Sequence, residues 1–180
     1  KTGEPVGPPV KLPGLRFGDP HPEHARFFDP EGTGELAVLI LKDGKIVNET
    51  YQYGNTQATR WMSMSVAKSV TSTLIGAAVK DGHIASINDQ VIKYVPRLAG
   101  SAYDGATVRD VMMMASGAKW NETYTDPASD RRQLLEAQIS QKPGSAMDLM
   151  SKLPRAAPPG SVNNYSTGET QVAGEIVYNA

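Results

Sequence analysis

The sequence predicts a mixed α and β fold (α+β) in which an antiparallel strand pair feeds a helix. Three observations point there: two apolar runs flank Asp43-Gly44, a helical repeat occupies 65–80, and short amphipathic segments follow to the last residue. With 180 residues, 39% hydrophobic and 21% charged, the chain can build one domain with its own core.

Residues 1–34 carry Pro5, Pro8, Pro9, Pro13, Pro20, Pro22 and Pro30. Proline fixes φ and removes a backbone donor, so this stretch reads as an extended Pro/Gly-rich arm and 35–180 as the folded domain. Leu36-Ala37-Val38-Leu39-Ile40-Leu41 precedes Asp43-Gly44, and Ile46-Val47 opens an alternation that runs to Tyr51 and Tyr53. Asp-Gly accepts the positive φ angles of a tight reversal, which predicts a hairpin over 36–53. In 65–80, Val66, Val70, Leu74, Ala77 and Ala78 fall on one side of a helix, expected to be its buried side, and Asp81-Gly82 stops it.

Further on, Val91-Ile92-Lys93-Tyr94-Val95 ends at Pro96, and 107–115 reads as a short helix capped by Thr107 and closed by Gly117. Residues 130–153 are amphipathic around Leu134, Leu135 and Ile139, with a break at Pro143-Gly144. A last helical pattern, Val172, Ala173, Ile176 and Val177, begins near Thr167 and runs to the final residue without a C-cap. That ending, and a first residue Lys1 in place of Met, read as one part of a longer polypeptide, so more chain is expected after Ala180.

A net charge of -1 with scattered Lys and Arg gives no basic field for nucleic acid. The longest apolar run, 36–41, is far short of the roughly 20 residues a membrane span needs. Absence of cysteine removes disulfides, thiolate nucleophiles and cysteine metal sites. The compartment stays open, with a periplasmic or secreted location slightly preferred. Neither a cofactor nor a metal is expected. In His21-Pro22-Glu23-His24 the proline opposes a helix presenting both rings, and the third histidine, His83, follows Gly82, so no Ser-His-Asp set is foreseen either.

Ser65-Val66-Ala67-Lys68 carries the chemistry. Residues three apart on a helix share a face, so the Lys68 amine can reach the Ser65 hydroxyl. A helix start also offers spare backbone N–H groups for an oxyanion, and its field together with burial favours a free amine. The competing reading is an N-capping serine with a solvated lysine one turn on. Ser116-Gly117-Ala118-Lys119 repeats the spacing, but Gly117 marks a helix exit and Ser116 reads as a loop residue. Lys1-Thr2-Gly3 matches a triplet that accompanies Ser-x-x-Lys in β-lactamases, yet it precedes the serine, inside the proline-rich arm, and reads as coincidence.

Context adds a resemblance. Ser63-Met64-Ser65-Val66-Ala67-Lys68-Ser69-Val70, then Gly82, Ile84, Asn88-Asp89-Gln90-Val91, Tyr94-Val95-Pro96, Thr107-Val108-Arg109-Asp110-Val111 and Ala115-Ser116-Gly117, resembles the class C β-lactamase and esterase family of penicillin-recognising serine hydrolases. Pro158-Pro159-Gly160 with Asn164-Tyr165-Ser166 resembles that family's second motif, and the likeness covers about 60–177. Two segments, Leu98-Ala99-Gly100-Ser101-Ala102-Tyr103-Asp104-Gly105 and Asn121-Glu122-Thr123-Tyr124-Thr125-Asp126-Pro127-Ala128-Ser129, resemble aminohexanoate-dimer (nylon-oligomer) hydrolases within it.

The resemblance implies a β-lactamase/transpeptidase-like antiparallel sheet against a helical region, with only the N-terminal half present. It implies that Ser65 attacks, Lys68 activates it, Tyr165 relays a proton to the leaving group and Tyr124 closes over the substrate amide. The implied substrate is a linear amide or small ester, cleaved through an acyl-serine; a β-lactamase, a D-amino-acid peptidase or a non-catalytic penicillin-recognising binding module are the alternatives. Where β-lactamases carry Tyr-x-Asn this chain has Tyr165-Ser166-Thr167, which weakens the β-lactam reading. The family's third motif lies on a late strand, so a second chain carrying the C-terminal half is the expected partner.

Overall fold

The computed structural model describes residues 37–51, 54–60 and 63–180. The arm over 1–34, with His21 and His24, and the hairpin's outer residues Leu36 and Tyr53 lie outside the described residues. The chain forms two compact units, residues 1–62 and 63–180.

In the first unit β1 (Ala37–Lys42) pairs antiparallel with β2 (Lys45–Tyr51). Asp43 and Gly44 both take positive φ, 50° and 73°, as the two central residues of a tight hairpin turn require. The register runs from Ala37 opposite Tyr51 to Lys42 opposite Lys45, with a shift between Ile40 and Leu41.

The second unit is helical: α1 (Val66–Lys80), α2 (Val91–Tyr94), a 3-10 turn (Pro96–Leu98), α3 (Val108–Met112), α4 (Asp130–Ile139), α5 (Ser145–Met150) and α6 (Thr167–Asn179). Several helix boundaries have a local cause. Gly82 takes φ 83° where α1 ends, Thr107 and Asp110 form a reciprocal capping box on α3, and Ser129 accepts from the Arg132 N–H on α4. Gly144, at φ 78°, separates α4 from α5 at the break the sequence marks.

Helix α6 is the centre of the unit, packing against α1, α2, α3, α4 and α5. Its Val172, Ala173 and Ile176 enter a core with Ile75, Ile84, Val91, Val95, Leu98, Tyr103, Val108, Leu134 and Met150. Close approach depends on Gly168, where a Cβ would stand 2.4 Å from Met150 Cε and 2.8 Å from the Trp120 ring.

One expectation is corrected. Val66, Val70 and Leu74, read as the buried side of α1, are 66%, 57% and 49% exposed. The face that packs carries buried Ile75, with Ala78 and Val79 lying against the core. Helix α1 is apolar on more than one side, and periodicity reveals a stripe without revealing which stripe meets α6.

Helix α3 stops at Met112, where the Met113 and Met114 N–H groups close its last turn, and not at Gly117 as expected. Gly117 lies in the loop beyond and ties it to the segment after α5, its carbonyl accepting from the N–H groups of Ala156 and Ala157. It takes φ 84°, and a Cβ there would lie 2.1 Å from the Ala157 carbonyl oxygen. Gly117→Ala therefore meets both left-handed strain and a backbone clash, and should cost on the order of 2 kcal/mol or more. Urea unfolding of the two proteins checks this; a midpoint that does not move would refute the argument.

Candidate active site

Ser65 stands at the N-cap of α1, yet its side chain makes no capping hydrogen bond. Its hydroxyl oxygen instead accepts from Lys68 Nζ at 3.2 Å and from the Tyr165 hydroxyl at 2.9 Å. Helical spacing brings the amine: one turn along α1 places Lys68 on the face of Ser65, half-buried, with its Nζ 5.3 Å from the centre of the Tyr165 ring. The N-capping alternative for Ser65 does not hold.

Tyr165 arrives from a hundred residues away, and its approach is fixed by side chains on either side of it. Asn163 Nδ2 donates to the Met113 carbonyl, the Asn164 N–H to the Met114 carbonyl at 2.8 Å and Asn164 Nδ2 to the Trp120 carbonyl at 3.1 Å. Ser166 then caps α6, its hydroxyl accepting from the Glu169 N–H. The phenol thus leaves a laced segment just before a capped helix, and α6 packing on α1 carries it to Ser65.

Met64, immediately before Ser65, has φ 47°, a left-handed conformation uncommon for a residue with a side chain. The N–H groups of Val66, Ala67 and Lys68 donate to the carbonyls of Ser63, Met64 and Ser65 at 3.0, 3.2 and 3.0 Å. Of the oxyanion donors expected at this helix start, the N–H groups of Val66, Ala67 and Lys68 are therefore used by tight i to i+3 turns.

Two hollows meet at the cluster. The smaller, about 300 Å³, is lined by Ser65, Lys68, Tyr165, Met112 and Glu169. The larger, about 600 Å³, is lined by Ser65, Lys68, Tyr124, Arg131, Thr167 and Glu175 among others. Tyr124 therefore faces the cleft that contains Ser65, with its hydroxyl donating to Glu122 Oε1 at 3.0 Å.

Three residues escaped the sequence reading. Glu122 gathers donors from four groups: the Trp120 indole N–H, the Tyr124 hydroxyl, and the N–H and hydroxyl of Thr167. Burial works to raise its pKa, but those hydrogen bonds outweigh it and hold the carboxyl below its ordinary value. Arg131 lies beside it on α4. Glu169, on the wall of the smaller hollow, is buried and accepts from the Ser116 hydroxyl, which leaves Ser116 a structural partner. Only Glu122 had a sequence signal, its place between Trp120 and Tyr124.

A strand pair, a helical unit and a serine held by a lysine one turn on and a distant tyrosine define the class: a β-lactamase-like fold. The β-lactamase family model matches residues 25–180, and the chain belongs to that family. Over 126 residues it is 37% identical to a 6-aminohexanoate-dimer hydrolase of Paenarthrobacter ureafaciens, covering 70% of this chain and 31% of that relative's length. Among solved structures it is similar to a Bacillus anthracis protein assigned as a 6-aminohexanoate-dimer hydrolase (TM-score 0.62, 24% identity, 79% of this chain and 38% of that one). It is also similar to a Bacteroides dorei protein assigned as a β-lactamase (TM-score 0.63, 24% identity, 80% and 40%). These two likenesses bear on the fold. The chain spans about a third of the length of its curated relative.

Burial pushes the Glu169 carboxyl up from 4.5 to about 7, against hydrogen bonds from Ser116 and with Asp110 adding to the rise. Below pH 4.5 folded and unfolded chains both hold this proton. As pH rises toward 7 the unfolded chain releases it first, so stability falls across that window and levels off above it; the span is about 3 kcal/mol. Glu169→Gln should remove that decline, seen by comparing the two proteins' urea midpoints from pH 4.5 to 7.5. Parallel pH profiles would contradict the assignment.

Proposed function

We propose that this chain carries the nucleophilic part of a serine hydrolase that cleaves a linear amide or small ester through an acyl-serine. What supports this reading is the convergence of the Lys68 amine and the Tyr165 phenol on one hydroxyl oxygen, within 3.2 and 2.9 Å. A capping or packing serine has no use for both. In acylation the Ser65 oxygen bonds to the carbonyl carbon while its proton passes to Lys68. As the carbon–nitrogen or carbon–oxygen bond breaks, Tyr165 gives its proton to the leaving group and regains one from the Lys68 ammonium. Water then attacks the ester, losing its proton to the same pair, and the acid leaves with Ser65 restored.

The substrate preference rests on Thr167. Its N–H and hydroxyl both turn inward to Glu122, so the position where β-lactamases carry an asparagine offers no amide toward a β-lactam side chain. The 37% identity to a 6-aminohexanoate-dimer hydrolase supports a linear amide.

Ser65→Ala should abolish hydrolysis of 4-nitrophenyl butyrate and labelling by a fluorophosphonate; retained turnover or labelling would exclude the mechanism. Tyr165→Phe should keep the fold and lower kcat by roughly a hundredfold or more. Of nitrocefin, D-alanyl peptides and short-chain esters, the esters should turn over best, and a preference for nitrocefin would reverse the substrate assignment.

A further inference from the structure

Arg131 is a cation with two guanidinium nitrogens that the described fold leaves unpaired. Its side chain is 19% exposed, and Nε and Nη1 are buried with no hydrogen-bond partner among the described residues. Among the described residues the one carboxylate within 4.0 Å is Glu122, whose Oε1 stands 3.9 Å from Nε, beyond hydrogen-bond length. Glu122 cannot come closer at no cost, because four donors from Trp120, Tyr124 and Thr167 already occupy its two oxygens. Tyr124 covers the guanidinium on one side, its ring centre 5.4 Å from Cζ. A planar cation is therefore held in place, largely stripped of water, with two of its nitrogens unpaired. Buried donors without acceptors are costly, and an arginine fork matches a carboxylate in shape as well as charge.

The position of this group supplies the rest. Arg131 and Tyr124 line the same cleft of about 600 Å³ that contains Ser65 and Lys68. A substrate that enters that cleft to reach Ser65 therefore passes Arg131. We infer that Arg131 is a specificity-determining residue that binds a carboxylate on the substrate, so that the preferred substrates are linear amides or esters carrying a free carboxylate beyond the scissile bond. This deepens the hydrolase reading and rests on it. Tyr124 then acts as the neighbour that keeps the guanidinium in place, in addition to facing the substrate.

The test uses matched pairs of linear amides, one member ending in a carboxylate and the other with that carboxylate capped as its methylamide. One pair carries the group on the acyl side and one on the leaving side. For Arg131→Gln, the ratio of kcat/KM for the acid to that for the capped amide should fall about tenfold or more in at least one pair, with Arg131→Lys intermediate. A parallel loss in both members of both pairs would mean that Arg131 only supports the fold, and would overturn the inference. Calorimetric titration with adipate, a free dicarboxylate, decides the point without turnover: affinity should drop about tenfold in Arg131→Gln. Equal affinity in folded wild type and variant would sink the subsite. Failure of the hydrolase reading shows separately, as wild-type Ser65 that no fluorophosphonate labels.

Discussion

The contact between Tyr165 and Ser65 is the constraint on which the site depends, because it spans a hundred residues and no local motif can hold it. Ser65 and Lys68 come together by helical geometry alone. The phenol is different: its place requires α6 to lie against α1, and that packing requires the core in which α6 meets every other helix of its unit. Gly168, two residues into the helix that follows Tyr165 and close against Met150 and Trp120, shows how little room that arrangement leaves.

Around this contact the polar groups divide into two kinds. Asn163, Asn164, Ser166 and Thr167 spend their hydrogen bonds on backbone or on Glu122, and so fix the route of the chain. Ser65, Lys68 and Tyr165 spend theirs on one another in an exposed hollow. Folding and chemistry use neighbouring residues for separate tasks, which explains why Thr167, two positions from the phenol, faces inward.

Much of this was legible in the sequence because it is local. Asp43-Gly44 fixed the hairpin by its backbone preferences, and Thr107 and Pro143-Gly144 marked ends that the structure also shows, whereas α3 stops at Met112, well short of Gly117. The spacing of Ser65 and Lys68 gave their contact, and Tyr165 was found through the resemblance rather than through any spacing. Non-local matters were hidden. The exposed stripe Val66, Val70 and Leu74 shares a helix with the packed face at Ile75, and only the partner α6 tells them apart. Arg131 and Glu169 look like ordinary charged residues, since burial and partners, not spacing, make them unusual. The spare N–H groups foreseen at the start of α1 depended on the pitch of a single turn, which sequence does not record.

Met64 carries a consequence of its own. Its side chain is on the surface and bonds to nothing in the reaction, yet its left-handed backbone aims the residue that follows. Tolerance at this site should track what a reversed backbone twist admits, so that glycine or asparagine is accepted and valine or isoleucine is not. An outward-facing position would then be as narrowly restricted as one in the interior, for reasons of handedness alone.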